Sequence, residues 1–222
     1  MYVVITGTSR GIGLELTKYA LSKGHHVLAI ARKPQSSDQL IELQKSHDKL
    51  EVMALDLLDK DAHNLIVKRV GHWPQVDVMI NNAGIYEKDH SIEEFEKSFL
   101  TNSIKPFFIT RALLPFLKKS KHPVSLQITS MMGSIADNSS GGSYSYRASK
   151  AALNMIYKSL SVDENWLISL LVHPGWVQTS MGGESAPVSV QDSAQGVWKL
   201  IDESDLSQSG SFMTYKGQRL DW

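Results

Sequence analysis

Tyr146 and Lys150 stand four residues apart, a spacing that puts both side chains on one face of a helix. A phenol with an ammonium beside it can exchange a proton, because the nearby cation favours the phenolate. A solvated helix surface carries the same pair, so the spacing gains meaning only with company. Tyr144 lies close by but has Ala148 at its own +4 position, which leaves Tyr146 with the lysine. Ser130 ends an apolar run sixteen residues before Tyr146. Its hydroxyl either donates to a reacting oxygen or satisfies local backbone. Pro106 sits inside a helical stretch and has no N–H for the carbonyl four residues back, that of Asn102. A kink is expected there. The freed carbonyl is either a solvated acceptor or one that holds water beside a catalytic centre.

A second constellation is TGTSRGIG at 6–13, directly after the first apolar run. Gly7, Gly11 and Gly13 permit a sharp strand-to-helix turn and let backbone approach a pyrophosphate. The helix that follows offers free N–H groups and a positive dipole end. The spacing differs from G-x-G-x-x-G. Taken alone, the segment is a phosphate cradle or a tight turn that binds nothing.

The elements that must carry these residues alternate regularly. Short apolar runs fall at Tyr2–Thr6, His26–Ala31, Leu50–Asp56, Val76–Asn82, Val124–Ser130, Ile168–His173 and Gly210–Tyr215. The first six are nearly continuous rather than alternating, the pattern of strands covered on both faces. Helical patterns lie near 11–23, 37–47, 60–72, 91–117, 145–165 and 189–202. Repeated strand, helix, strand order means right-handed crossovers and a parallel α/β sheet. No linker divides the chain, so one domain is expected over 1–222. The only biased stretch is Asn138–Ser143, a Ser/Gly-rich loop. In open parallel sheets ligands sit beyond the carboxyl ends of strands. Ala31-Arg32, Asp56-Leu57, NNAG at 81–84, Thr129-Ser130 and His173-Pro174-Gly175 all fall at or just after such ends.

Composition narrows the function classes. The 222 residues are 42% hydrophobic and 21% charged, as in ordinary globular chains. Lys plus Arg number 23 and Asp plus Glu number 23, so no global basic field exists for nucleic acid or an anionic membrane. Cys is absent, which removes disulfides, thiol nucleophiles and Cys-ligated metals. No apolar run approaches the roughly 18 residues of a membrane span, and no basic region precedes the first strand as in a signal peptide. A cytoplasmic location is expected. His25, His26, His47, His63, His72, His90 and His122 are scattered without ligand spacing, and no metal is expected.

With these residues assembled, the chain resembles the short-chain dehydrogenase/reductase family over essentially its whole length. The resemblance rests on TGTSRGIG at 6–13, Asp56, NNAG at 81–84, Asn102, Ser130, YRASK at 146–150 and HPGWVQT at 173–179, in that order. The short segment after HPG and the ending YKGQRLDW are similar to the branch of sniffer-type carbonyl reductases and C-factor-type signalling proteins. The Ser130–Tyr146 spacing is longer than the family's, because of the Ser/Gly-rich loop.

The resemblance implies a Rossmann-like, doubly wound, seven-stranded parallel sheet in a three-layer sandwich that binds a nicotinamide dinucleotide. Gly7, Ser9, Arg10, Gly11, Ile12 and Gly13 would follow the phosphates and adenosine. Asp56 and Leu57 would flank adenine, and Asn82, Ala83 and Gly84 would line the ribose path. Pro174, Val177 and Thr179 would border the nicotinamide. The implied reaction is hydride transfer between the cofactor and a small-molecule carbonyl or alcohol, with Tyr146 as general acid. Bringing a tyrosine from pKa ~10 to neutrality is worth roughly 4 kcal/mol, which Lys150 would supply in part as a neighbouring cation. Lys150 would also hold the ribose hydroxyls. Ser130 would hydrogen-bond the carbonyl oxygen, and Asn102 would complete a water-mediated proton route from Lys150. The second strand ends Ala31-Arg32-Lys33, with no acid to accept from a ribose 2′-OH. Arg32 and Arg10 suit a 2′-phosphate, so NADP(H) is expected ahead of NAD(H); otherwise they are solvated charges. Trp176, Met131 and Met132 either wall the substrate pocket or pack. Relatives pair the helices matching 91–117 and 145–165, so a homodimer is expected. The competing reading is a dinucleotide-binding regulatory or signalling protein, and an intact Asn102, Ser130, Tyr146 and Lys150 set weighs against it.

Overall fold

The computed structural model describes residues 1–87 and 91–222; His90 lies outside them. Seven parallel strands form one sheet: β1 (Tyr2–Thr6), β2 (His26–Ala31), β3 (Leu50–Ala54), β4 (Val78–Asn81), β5 (Val124–Ile128), β6 (Ile168–His173) and β7 (Ser211–Thr214). Their order is β3-β2-β1-β4-β5-β6-β7. The chain therefore winds one way from β1 through β3 and the other way from β4 through β7. The reversal lies between β1 and β4, where ligands enter such sheets.

The continuous apolar runs are explained by burial on both faces. Along β1, Val3 and Ile5 join one core cluster with Val27, Ala29, Ile80, Leu126, Leu170, Val197 and Trp198. Val4 points the opposite way into a second cluster with Leu28, Met79, Ile109, Leu153, Tyr157 and Leu171. The first cluster lies under α1 (Gly11–Ser22), α2 (Asp38–Ser46) and α7 (Val190–Glu203). The second lies under α3 (Ala62–Val70), α5 (Lys105–Leu117) and α6 (Tyr144–Asp163). The result is the expected three-layer sandwich. Among the described residues no helix is long and apolar enough to cross a membrane.

Strand ends fall slightly short of the apolar runs. β3 is an edge strand paired only with β2, and the ladder closes at Ala31 opposite Ala54. Leu55 still donates its N–H to the Ala31 carbonyl at 3.0 Å, and Asp56 lies beyond the strand. Ser130 likewise lies beyond β5, opening a short 3₁₀ turn at Met131–Gly133.

The helical stretch expected over 91–117 is three pieces: α4 (Ile92–Phe99), one π-helical turn at Leu100–Ile104, and α5. The Lys105 N–H reaches back five residues to the Leu100 carbonyl, and Pro106 follows in the first turn of α5. The expected kink at Pro106 is thus a widened turn just before it. Such π-turns cluster at functional sites, and this one contains Asn102.

Candidate active site

The turn after β1 is held by β4's extension. Thr6 Oγ1 accepts from the Asn82 and Ala83 N–H groups, each at 3.1 Å. Asn82 Nδ2 donates to the carbonyls of Thr6 (2.9 Å) and Gly7 (3.1 Å). The cradle is too tight for side chains: a Cβ on Gly13 would lie 2.2 Å from the Gly7 oxygen and 2.4 Å from Asn82 Nδ2. Gly7 and Gly11 have φ of 73° and 56°, a region glycine enters freely. Arg10 precedes α1 without a side-chain cap, and no acid lies in the first turn. The opening N–H groups of α1 therefore face outward beside a dipole suited to an anion.

Arg10, Arg32 and Lys33 are exposed, and none has an ion-pair partner among the described residues. Ser9 and Ile12 are half-buried at the turn. Asp56 accepts from the Leu58 N–H at 3.0 Å, shaping its own turn, and Leu57 is buried. After β6, Pro174 and Val177 are buried, while Thr179 lies against Gly11. The Ser193 hydroxyl donates to the Pro174 carbonyl at 2.7 Å. Trp176 is 55% exposed, with its indole N–H bonded to the Gly182 carbonyl. Met131 and Met132 are half-buried.

Ser130, Tyr146, Lys150 and Asn102 are all nearly sequestered from solvent. α6 buries Tyr146, Ser149, Lys150, Leu153, Tyr157 and Leu160, a period that aims its first two turns at the end of β5. The Ser130 hydroxyl accepts from the Met132 N–H at 3.1 Å and acts on the Tyr146 phenol in the sense opposite to burial. Lys150 Nζ donates to the Ile128 carbonyl at 2.8 Å and lies 5.8 Å from the Tyr146 ring centroid. Gly84 leaves room beside it: a Cβ there would sit 3.5 Å from Lys150 Nζ and 3.3 Å from Asn102 Oδ1.

Burial pushes the Tyr146 phenol above its ordinary value, against a smaller lowering by the Ser130 hydroxyl, and the Tyr86 phenol raises it further. Lys150 is not among the causes, and its ammonium donates to Ile128. Burial instead brings Lys150 itself down to about 8. Tyr146 is therefore protonated at neutral pH, the state a proton donor needs.

The Asn102 side chain makes bonds of its own, apart from the carbonyl singled out by Pro106. Its Oδ1 accepts from the Ile85 N–H at 2.8 Å, and its Nδ2 donates to the Ile85 carbonyl and to Ser149 Oγ, each at 3.0 Å. Ser149 Oγ then donates to the Tyr146 carbonyl at 2.8 Å. One amide thus ties the segment after NNAG to the first turn of α6. Sequence reasoning passed over Ser149, although it lies within YRASK. It also passed over Asn81, whose amide lies within reach of Thr110, Gln127 and Tyr157 at 2.7–3.1 Å. That knot joins β4 and β5 to α5 and α6. Tyr86 was missed as well: its ring meets the Tyr146 ring edge-on at 4.9 Å, and no motif marks it.

The short chain dehydrogenase family model matches residues 1–188. The protein named C-signal from Myxococcus xanthus is 40% identical over 154 residues, covering 66% of this chain and 93% of its own length. The solved carbonyl reductase Sniffer of D. melanogaster superposes with a TM-score of 0.94 at 34% identity, over 100% of this chain and 99% of that one. An NADPH-bound carbonyl reductase from chicken fatty liver gives a TM-score of 0.90 at 31% identity, covering 100% and 98%.

Proposed function

The chain belongs to the short-chain dehydrogenase family and is an oxidoreductase of it, and we propose that it uses NADP(H) to reduce the carbonyl of a small molecule. The juxtaposition that carries this reading is buried Tyr146 with the Ser130 hydroxyl acting on its phenol and Lys150 Nζ over its ring at 5.8 Å. NADPH, when bound, supplies the hydride. Gly7, Ser9, Arg10, Gly11, Ile12 and Gly13 would hold its phosphates and adenosine, Asp56 and Leu57 its adenine, and Asn82 to Gly84 its ribose path. Arg10 and Arg32 would pair with the 2′-phosphate, which places NADP(H) ahead of NAD(H). Pro174, Val177 and Thr179 would border the nicotinamide.

In this reading Ser130 donates to the carbonyl oxygen as negative charge grows there. Tyr146, kept protonated by burial, passes its hydroxyl proton to that oxygen. Lys150 holds the ribose hydroxyls and, on the far side of Tyr146, returns a proton to the phenolate. Asn102 keeps α6 and the segment after NNAG in register. The exposed stripe of Leu100, Ile104 and Phe108, with Met155 on α6, supports a homodimer; sedimentation at tens of micromolar tests that.

The deciding experiment is Tyr146→Phe, assayed on aldehydes, ketones and diketones that the wild type reduces. Turnover should fall by several orders of magnitude while NADPH affinity stays within a few-fold. Retention of most of the rate removes Tyr146 as the acid. The relative named C-signal motivates a second reading, a dinucleotide-binding signalling protein. Tight NADPH binding with no carbonyl turned over favours it.

A further inference from the structure

Tyr86 follows NNAG by two residues and has no role in the scheme above, yet it is held from three sides. Its backbone neighbour Ile85 is clamped at both N–H and carbonyl by the Asn102 amide. Its hydroxyl is 2.7 Å from Ser143 Oγ. Its ring meets Tyr146 at a centroid separation of 4.9 Å and an interplanar angle of 72°, the edge-to-face geometry that aromatic pairs favour.

The Ser143 end of this arrangement is strained. Ser143 has φ of 47°, and it is the only non-glycine residue with positive φ among the described residues. Gly141 and Gly142 precede it at 63° and 67°, so three left-handed residues lead into α6. Serine in that region costs of order 1 kcal/mol and persists only where surroundings fix it. Ser143 caps α6 by position but makes no side-chain cap bond; its hydroxyl goes to Tyr86 instead. The turn that launches the helix of Tyr146 is thus fastened to the segment that follows NNAG.

A reacting hydroxyl must be held within about 0.5 Å of its working position. The Tyr146 hydroxyl oxygen lies on the axis of the ring's own torsion, so what displaces it is a swing of the whole ring about χ1. Lys150 lies over the ring at 5.8 Å and gives its hydrogen bond to Ile128 rather than to Tyr146. The edge of Tyr86 supplies the missing lateral restraint. We propose that Tyr86 is the positioning residue for Tyr146, its ring fixed by Ser143 at the hydroxyl end and by Asn102 through Ile85 at the backbone end. This rests on the reading of Tyr146 as proton donor.

The test uses the full chain as wild type, Tyr86→Leu, Tyr86→Phe, Ser143→Ala and the last two combined. NADPH affinity, kcat and KM are measured with a carbonyl the wild type reduces. The Tyr146 ionisation is followed by NMR on protein labelled at the tyrosine ring carbon, with Tyr146→Phe identifying the signal. Tyr86→Leu should lower kcat on the order of ten- to a hundredfold, the scale of a misplaced reacting group. KM and NADPH affinity should stay within about twofold, which also certifies the fold. Tyr146 should titrate at lower pH as water reaches it. Tyr86→Phe and Ser143→Ala break the same bond, so the double variant should lose no more kcat than either alone. An unchanged kcat in Tyr86→Leu, a loss confined to KM, or additive losses in the double variant would overturn the proposal. If the wild type reduces no carbonyl, the functional reading fails separately. Relaxation of the same labelled ring carbon then decides: a more mobile Tyr146 in Tyr86→Leu supports the restraint, and an unmoved one refutes it.

Discussion

The Lys150 ammonium donates to the carbonyl of Ile128, the last residue of β5, across 2.8 Å. One hydrogen bond is a small return for a buried charge, and burial brings Lys150 from 10.5 down to about 8. The folded state therefore carries a penalty of about 3 kcal/mol for the charged form. Because the folded value is the lower one, the unfolded chain holds this proton between about pH 8 and 10.5 while the folded chain releases it. Stability contributed by this group rises with pH across that window.

It follows that Lys150→Met should stabilise the fold at pH 7 by about 1–2 kcal/mol, net of the lost bond, while NADPH affinity and turnover collapse. Urea unfolding at pH 7 and pH 9.5 checks this. The variant's advantage should shrink at the higher pH. A variant less stable than wild type at pH 7 would show that the bond to Ile128 outweighs burial.

Asn102 should behave in the opposite sense. Asn102→Leu leaves the Ile85 N–H and carbonyl without their partners and frees Ser149. Two half-buried backbone groups left unpaired cost about 2 kcal/mol together, roughly 4–8 °C in melting temperature for a chain of this size. Turnover should fall with it, since the amide joins both walls of the site. Calorimetry finding a loss below about 1 kcal/mol would mean that water replaces the amide.

The fold was largely legible because burial on both faces leaves a plain mark, runs such as Val3-Val4-Ile5 and Leu170-Leu171-Val172. Local constellations were legible where spacing does the work: the glycines of 6–13, and Tyr146 with Lys150. Contacts between distant segments left no such mark. Tyr86 finds Ser143 fifty-seven residues away, and neither belongs to a periodic pattern. Pro106 pointed to the right turn but not to the Asn102 side-chain amide, because proline reports on the main chain. The position of the Lys150 ammonium was not legible for a related reason. Four-residue spacing puts Lys150 on the same face, but it does not say that the ammonium turns to Ile128.

Arg32 should set the choice of dinucleotide. It is exposed at the end of β2, without an ion-pair partner among the described residues. A charge-assisted bond to a 2′-phosphate is worth roughly 1.5–3 kcal/mol, about ten- to a hundredfold in affinity. Arg32→Ala should weaken NADPH by that factor and leave NADH within twofold. Calorimetric titration of both cofactors measures it, and equal losses for the two would assign Arg32 to general surface charge.

The acid side of the stability profile should belong in part to His173. This residue ends β6 with its Nδ1 buried and without a hydrogen-bond partner. Burial lowers it from 6.5 to about 4, with Asp137 opposing the shift weakly. Between those values the unfolded imidazole takes a proton that the folded one refuses. The contribution of His173 is therefore present above pH 6.5 and is lost as pH falls toward 4. Allowing for partial solvent screening, wild type should lose about 2 kcal/mol more than His173→Leu between pH 7 and pH 4.5. Urea midpoints across that range give the answer. Parallel profiles for the two proteins would mean that His173 accepts its proton in the folded state, with Asp137 holding the imidazolium more firmly than burial opposes it.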